Sequence, residues 1–289
     1  HFYGNRLRRI LPPYVLCLGF TALFFTIDWR HVWFLYALPL ENVAAIYHFH
    51  QIGPLSPLWS LAIEEQFYLV WPLLVLTLHR RVLIYVLTAI LVMSPIARLL
   101  ATPFFDTSWF IYVATPFRLD TISMGALIAL LYEFSPIREG LKRYSKPLFF
   151  ASVAALTVAG YFGYIRESNT LLFNGLGYTT IALMSAALVV WATVSEGPLY
   201  RLLTLRPLRY LGKISYMAYV IHVPMIELMR HVGDVHGVYH RSRMAAASVP
   251  LSILFASLSW HFIEKPILNW GRNQNWGRNQ EKPLRVGEL

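Results

Sequence analysis

The sequence is poor in charge, because Asp, Glu, Lys and Arg make up only 14% of its 289 residues. A soluble domain carries about 25% of these residues, so the composition excludes an ordinary soluble globular protein. Cysteine is almost absent, since Cys17 is the only one, and this excludes an intramolecular disulfide framework. Cys17 lies inside an apolar run, where we expect it to be a small buried hydrophobic residue.

Several catalytic motifs are also missing from the sequence. It contains no HExxH, no zinc-type cysteine set, no GxSxG and no phosphate-binding glycine loop. These absences exclude assignment to the common metalloprotease, hydrolase and NTPase classes. His48 and His50 have a spacing that could bind a metal, but two ligands without a third are weak support for a site. We therefore expect no metal cofactor.

Apolar residues are abundant and make up 56% of the chain. They form long runs without a polar face, and a helix needs about 20 such residues to cross the hydrocarbon core of a membrane. The sequence therefore predicts an all-α polytopic membrane protein with eight transmembrane helices. We place them at Ile10–Ile27, Pro57–Leu78, Val82–Leu100, Trp109–Leu131, Leu148–Ile165, Leu172–Val194, Ile214–Met229 and Met244–Ile263.

One further apolar stretch, His31–Tyr47, is interrupted by Pro39, Glu41 and Asn42. We predict a re-entrant or interfacial segment there. A ninth full span would reverse the alternation of every later loop between the two sides of the membrane.

The formal charge of +10 lies in short clusters between the apolar runs. This distribution fits membrane topology better than a nucleic-acid-binding face, so we expect membrane lipids and no nucleic acid as partners. Most of the 25 basic residues fall on one side of the eight-span map, including those at 6–9, 138–146 and 201–213. By the positive-inside rule, both termini are predicted to be cytoplasmic.

No long polar linker separates the spans, so we predict one helical domain at residues 1–266 and a cytoplasmic tail at 267–289. The tail contains Asn269–Gln274 repeated at once as Asn275–Gln280, which we interpret as a duplication in a tolerant segment. The sequence starts with His1 and shows no signal peptide. We therefore expect it to be a fragment that begins after the natural N-terminus.

Charged residues within the predicted spans need an explanation, because each costs at least about 2.5–3.5 kcal/mol at the centre of a membrane helix. Glu64 and Glu65 point about 100° apart on a helix, which argues against one carboxylate pair. Arg118 and Asp120 lie about 200° apart, so each needs a partner on another helix or an anionic ligand. Structural ion pairs are the alternative to a catalytic role for all four residues.

A polar stripe lies on another predicted span. Ser215, Tyr219 and His222 follow one another at i, i+4 and i+7, and Pro224 is expected to bend the helix beside His222. The stripe predicts a polar pocket in which His222 is a candidate catalytic residue, although a single membrane histidine is more often a packing residue.

Arg6, Arg8 and Arg9 precede the first predicted span on the cytoplasmic side. They form either a positive-inside anchor or a site for a phosphate-bearing ligand, to which arginine offers a bidentate fork.

Five segments of the chain occur in the order seen in one known family. They are Arg6–Pro13 (RLRRILPP), Ser56–Pro72 (SPLWSLAIEEQFYLVWP), Arg118–Ala126 (RLDTISMGA), Leu211–Pro224 (LGKISYMAYVIHVP) and Ser259–Pro266 (SWHFIEKP). Through residues 6–266 the sequence resembles the integral-membrane acyltransferase family 3, also called the O-antigen and exopolysaccharide acetylase group. The WSL-x-x-EEQFY-x-x-WP block is the most specific of these motifs.

The resemblance implies transfer of an acyl group, usually acetyl, from acyl-CoA to a sugar hydroxyl in a bacterial inner membrane. The acceptor would be a glycan or glycolipid such as a lipopolysaccharide or capsule, or a glycosylated small molecule. By the same resemblance, Arg6 and Arg9 match the family's R-x-x-R motif, which is linked to acyl-CoA. Glu64, Glu65, Arg118 and Asp120 match its intramembrane polar positions.

The resemblance also implies an essential histidine in a span before the R-x-x-R motif, and this sequence contains neither that span nor that histidine. Attack of a sugar hydroxyl on a thioester needs a base, most often histidine, and donors for the developing oxyanion. The resemblance thus implies that the base lies outside the chain and that the chain alone is inactive. Arg118 would either donate to the oxyanion or hold a carboxylate in place.

Two other functions remain open from the sequence. A transporter or channel for a polar or anionic solute would also have intramembrane charges, a proline-kinked helix and a re-entrant segment, although the spans show no internal repeat of these motifs. A structural or sensor subunit would use the same polar residues only to join its helices.

Overall fold

The computed structural model describes residues 2–47, 52–161, 170–194, 197–232 and 238–271. These residues form helices and short connections, with no strand among them. The chain divides into two compact units, and each is described by itself. Residues 1–27, 53–57 and 206–289 belong to the first unit, and residues 28–52 and 58–205 belong to the second. His48, His50 and the tail beyond residue 271 lie outside the described residues.

The first unit is built on three long helices, which are α1 (Phe2–Phe24), α11 (Arg206–Val232) and α12 (Val238–Ser259). Helix α11 packs against both of the others. A π-helical turn, Trp260–Glu264, continues α12. Helix α1 begins eight residues before the predicted span, so Arg6, Arg8 and Arg9 lie on a helix rather than in a loop. Arginine is a good helix former, which is consistent with this extension.

Helix α11 runs through Pro224 without interruption. Because proline has no N–H, the carbonyl of Val220 loses its usual helical donor. The buried thiol of Cys17 on α1 donates to this carbonyl at 3.2 Å. Cys17 is therefore buried as predicted, and it also has a polar role that the sequence did not indicate.

The described residues of the second unit form nine helices, α2 to α10, which are joined by several short turns. In chain order the helices are α2 (Trp29–Ala37), α3 (Glu41–Tyr47), α4 (Trp59–Thr77), α5 (Arg80–Ala101), α6 (Trp109–Val113), α7 (Leu119–Leu131), α8 (Ser135–Ala159), α9 (Tyr178–Val194) and α10 (Pro198–Leu203). Helix α7 packs between α5 and α9, and α9 also packs against α8. Helix α3 packs against α4.

Four helical segments among the described residues are long and apolar enough to cross a membrane: Phe2–Phe24, Arg80–Phe104, Phe173–Thr193 and Ala246–Gly271. Large apolar side chains on the outer surface are widely exposed, for example Leu23, Leu76 and Phe104 at 82%, 82% and 83%. An apolar surface of this extent needs a lipid environment. The protein is thus an all-α integral membrane protein, while the count of eight spans stays a prediction.

Two predicted segments differ in detail from the structure. The stretch Trp109–Leu131 is not one continuous helix, because it consists of α6, a 3₁₀ turn at Thr115–Phe117 and α7. Pro116 explains why the helix does not continue, since it has no N–H for the carbonyl of Tyr112 and its ring clashes there. Ala114, between α6 and this turn, is extended, with ψ 132°.

The stretch His31–Tyr47 contains two short helices that meet near Pro39. They have 9 and 7 residues, and at 1.5 Å per residue neither crosses 30 Å of hydrocarbon. Whether this segment is re-entrant or interfacial stays a prediction.

Candidate functional site

An ion pair between Arg98 and Asp120 lies at the centre of the second unit. Arg98 comes from α5 and Asp120 from the first turn of α7, and both side chains are 0% exposed. The guanidinium is bidentate, with Nη1 donating to Oδ1 at 3.0 Å and Nη2 donating to Oδ2 at 2.8 Å. Asp120 thus finds its partner on another helix, as the 200° separation from Arg118 predicted.

The other donors of Arg98 are also satisfied by the surrounding backbone and side chains. Nε donates to the carbonyl of Asn174 at 2.6 Å, Nη1 donates to the carbonyl of Phe117, and Nη2 donates to the hydroxyl of Thr179 at 2.6 Å. Asn174 belongs to a π-helical turn, Phe173–Gly177, which leads into α9. The irregular turns beside α7 and α9 therefore supply carbonyl oxygens to the buried arginine.

Asp120 is equally well satisfied. Besides the two bonds from Arg98, its carboxylate accepts from the Thr179 hydroxyl at 2.8 Å and from the backbone N–H of Thr121 at 3.0 Å. A buried charge is tolerated when it is paired and fully hydrogen-bonded. The arrangement fixes the start of α7 to α5 and α9.

Arg118 precedes α7 by one residue, and its guanidinium lies among three aromatic rings. Its carbon Cζ is 5.6 Å from the ring centre of Trp59, 5.2 Å from that of Tyr112 and 4.6 Å from that of Tyr178. Tyr178 is shared, because its ring centre is also 5.5 Å from Cζ of Arg98. Rings at these distances stabilise a cation without occupying its N–H donors. We call this group the arginine cage: Arg118, Trp59, Tyr112 and Tyr178.

The Arg118 guanidinium retains donor capacity inside this cage. Its Nη1 is buried and has no hydrogen-bond partner among the described residues. Arg98 is fully satisfied while Arg118 is not, so the two neighbouring arginines differ in what they can do chemically. A buried N–H that is held in place and unoccupied is suited to bind an anion or a developing oxyanion.

The two glutamates lie on α4, which also carries Trp59 of the cage. Glu64 is exposed and Glu65 is half-buried. Trp59 and Gln66 share one face of this helix, being about 20° apart, while the glutamates point about 120–140° away from Trp59. Glu64 and Glu65 therefore lie on the same helix as Trp59, but they point away from the face that carries it.

Gln66 forms a polar junction that the sequence did not single out. Its amide nitrogen donates to the carbonyl of Pro39 at 2.6 Å and to Oδ1 of Asn42 at 3.2 Å, and its amide oxygen accepts from Thr115 at 2.6 Å. Asn42 in turn donates to the Thr115 hydroxyl at 2.9 Å. These contacts connect α4 to the short helices before it and to the turn that carries Arg118.

His222 belongs to the first unit, on α11. Its Nδ1 bonds to the carbonyl of Tyr219 one turn earlier. Because a carbonyl only accepts, Nδ1 carries the proton in a neutral ring and Nε2 keeps a lone pair that can accept one. The Tyr219 hydroxyl donates to the carbonyl of Pro57 at 3.1 Å, while the Ser215 hydroxyl donates to the carbonyl of Gly212 at 3.0 Å. The predicted stripe is thus anchored to backbone groups of its own unit.

Arg6 and Arg9 line a hollow of about 310 Å³ at the start of α1, together with Phe2 and Asn5. The two arginines are three residues apart on the helix, so they lie on neighbouring positions of one face. Cζ of Arg6 is also 5.4 Å from the Phe2 ring centre. Two arginines and no acidic side chain line this hollow, which fits an anionic group such as a phosphate.

Arg98 is the residue of the site that sequence reasoning missed. Its position inside the predicted apolar span Val82–Leu100 is the signal that could have found it, because a charge in such a helix needs an explanation. No cluster of three or more His, Cys, Asp or Glu side chains occurs among the described residues. The two histidines considered as metal ligands, His48 and His50, are not described.

The apolar exterior and the buried polar cluster define an integral membrane protein with a polar site enclosed by its helices. The model of the acyltransferase domain family, Acyl_transf_3, matches residues 1–261. The chain belongs to this family, which confirms the resemblance found from its motifs.

Two curated relatives show the extent of the similarity. The peptidoglycan O-acetyltransferase OatA of Listeria monocytogenes is 28% identical over 322 residues, which cover 98% of this chain and 50% of the relative. The O-acetyltransferase OatA of Staphylococcus aureus is 27% identical over 297 residues, covering 93% of this chain and 47% of the relative. The chain spans about half the length of the curated relatives it matches. No solved structure matches it.

Proposed function

We propose that the chain is the membrane part of an O-acyltransferase that moves an acyl group, in the first instance acetyl, from acyl-CoA to a sugar hydroxyl of a cell-wall glycan. The family match supports acyl transfer. The relatives named as peptidoglycan O-acetyltransferase and O-acetyltransferase support a glycan acceptor of the peptidoglycan type. The membrane would be a bacterial inner membrane, with both termini on the cytoplasmic side.

The observation that carries the proposal is the unoccupied Nη1 of Arg118 within its aromatic cage. In acyl transfer the sugar oxygen attacks the acyl carbonyl carbon, a C–O bond forms, and the carbonyl oxygen gains negative charge. Collapse of this intermediate breaks the C–S bond and releases CoA as the thiolate. Arg118 would stabilise the charged oxygen, since a preorganised donor in a water-poor site is a strong source of transition-state stabilisation.

The remaining site residues receive supporting roles in this proposal. Asp120 and Arg98 fix the start of α7 and thereby position Arg118. Arg6 and Arg9 bind the phosphates of acyl-CoA. Glu64 and Glu65, on the helix that carries Trp59, bind the sugar through its hydroxyl groups.

The hydroxyl proton requires a base, and two sources can be separated by experiment. His222 is the candidate within this chain, because its Nε2 keeps a lone pair. The family resemblance implies instead a histidine outside this sequence. Loss of activity in His222→Gln with retained folding would favour the first source, and full activity would favour the second.

The test supplies labelled acetyl-CoA to membranes that contain the protein as its gene encodes it, and it measures label in the glycan. Arg118→Gln should lower kcat by about 100- to 1000-fold, the usual effect of removing one oxyanion donor. Arg9→Gln should raise KM for acetyl-CoA and leave kcat close to the wild-type value. Arg230→Gln, which breaks only an exposed pair with Glu227, is the matched control and should change neither parameter.

One result would overturn the proposal in favour of a transporter or channel. In that result, the wild-type protein transfers no label to glycan, and the flux of an anionic solute across the same membranes depends on Arg118.

A further inference from the structure

A cavity of about 410 Å³ lies between α7, α8 and α9, apart from the arginine cage. Its size falls within the range of about 300–1,000 Å³ that is usual for small-molecule pockets. No charged side chain lines it, and most of its wall is aliphatic: among the residues that form it are Leu127, Leu131, Ile137, Leu141, Leu183 and Val190. The cavity therefore suits an apolar occupant and would leave a charged group without a partner.

A row of basic side chains borders this cavity along α8. Arg138, Lys142 and Lys146 follow one another at i, i+4 and i+8, so they form one stripe. Arg138 and Lys142 each lie about 60° around the helix from the cavity residue three positions later, which is Leu141 and Ser145 respectively. Glu139 pairs with Lys142 at 3.1 Å, which leaves the row with an excess of positive charge.

Aromatic residues lie beside the basic residues at this end of α8. The Lys146 ammonium lies 5.9 Å from the ring centre of Trp191, and Cζ of Arg143 lies 5.6 Å from that of Tyr144, a residue of the cavity wall. Tryptophan, tyrosine and basic residues together are typical of the interface between hydrocarbon and water. These residue types therefore favour a position for the cavity near the surface of the membrane.

We infer that the cavity binds an acyl chain of an anionic phospholipid, whose headgroup phosphate lies against Arg138, Lys142 and Lys146. The apolar wall accounts for the chain, and the basic row accounts for the negative headgroup. A soluble anion would leave the cavity empty, and a zwitterionic lipid would offer the row no net charge. This lipid site is independent of the acyl-transfer proposal and uses none of its residues.

The first experiment fills the cavity. Gly140 lies in its wall, and a Cβ added there meets no atom within 4 Å, so Gly140→Phe puts a ring into the cavity without a backbone clash. A Cβ added at Gly125 on α7 also meets no atom within 4 Å, and Gly125 is not a residue of the cavity wall, so Gly125→Phe is the matched control. Binding of phosphatidylglycerol to the delipidated protein is measured by native mass spectrometry. Gly140→Phe should lower the affinity for the first lipid at least tenfold, and Gly125→Phe should leave it unchanged.

The second experiment tests the basic row and does not depend on the folding of the cavity variant. Each basic residue near an anionic surface contributes about 1 kcal/mol, which corresponds to about a fivefold change in affinity. Lys142→Gln/Lys146→Gln should therefore lower phosphatidylglycerol affinity by about 25-fold and leave phosphatidylcholine affinity unchanged. Arg201→Gln/Arg206→Gln, a pair outside the row, should have no effect.

The inference is overturned if the wild-type protein binds phosphatidylcholine as tightly as phosphatidylglycerol. It is also overturned if Lys142→Gln/Lys146→Gln keeps the wild-type preference, or if a folded Gly140→Phe retains lipid as the wild-type protein does.

Discussion

Replacing Arg98 by methionine should destabilise the second unit strongly. Arg98→Met has a similar length and removes the charge, so Asp120 would stay buried without its partner. Removing one member of a buried pair costs about 3–5 kcal/mol, because the remaining charge is desolvated and unpaired. Carbonyl oxygens of Asn174 and Phe117 would also lose their donor.

This loss is large enough to measure by thermal unfolding in detergent, followed through tryptophan fluorescence. At about 2–4 °C per kcal/mol for a chain of this size class, Tm should fall by at least about 6 °C. The control is Arg230→Met, which breaks a pair whose side chains are 51% and 32% exposed. An exposed pair contributes about 0–1 kcal/mol, so this variant should unfold within a few degrees of the wild-type protein.

A double variant separates the charge from the packing. Arg98→Met/Asp120→Leu leaves no buried ion, and replacing both partners of a buried pair by apolar residues is often neutral. It should therefore recover part of the lost Tm, with the remainder due to the freed carbonyls. Equal Tm values for Arg98→Met and Arg230→Met would refute the reasoning that the buried pair holds the three helices together.

Two further predictions concern the first unit and the topology. Pro224 cannot donate to the Val220 carbonyl, and Cys17→Ser keeps a donor for this carbonyl. The Cys17→Ser variant should therefore be more stable than Cys17→Ala by about 1 kcal/mol. The reverse order of stability in thermal unfolding would contradict the role of the thiol. A reporter fused after Leu289 and another inserted near Glu167 should lie on opposite sides of the membrane, and finding both on the same side would contradict the eight-span map.

The membrane class was predictable because it depends on composition and on the length of apolar runs. The separation of Arg118 from Asp120 was predictable for a similar reason, since the 100° step of a helix is a local property. Neither the membrane class nor this separation depends on which helices pack against each other. The break before Arg118 was also predictable in principle, because Pro116 cannot donate a hydrogen bond within a continuous helix.

The partners of the buried charged residues could not be predicted from the sequence. Arg98 and Asp120 are 22 residues apart, and Arg98 and Asn174 are 76 apart, so their pairing depends on how α5, α7 and α9 pack. The Trp59, Tyr112 and Tyr178 rings come from three separate helices, and nothing in their local spacing indicates a common cation. The sequence could show that the charges needed partners but could not identify them.

Arg98 and Arg118 are neighbours in the second unit, but the donors of Arg98 are all occupied while Nη1 of Arg118 has no partner among the described residues. Arg98 uses irregular backbone on both sides, a 3₁₀ turn before α7 and a π-helical turn before α9, to satisfy all of its donors. Non-helical backbone inside a membrane protein is tolerated where it is buried and hydrogen-bonded.

The same 3₁₀ turn ends at Phe117 and delivers Arg118 to its cage. Since Arg98 pairs with Asp120 and fixes this turn, Arg118 is left with aromatic neighbours that stabilise its charge but accept none of its N–H groups. A single carboxylate beside Arg118 would occupy those groups and remove its capacity to bind an oxyanion. Because Asp120 lies in the first turn of α7 and pairs with Arg98, its carboxylate leaves Nη1 of Arg118 available for the oxyanion role that we propose.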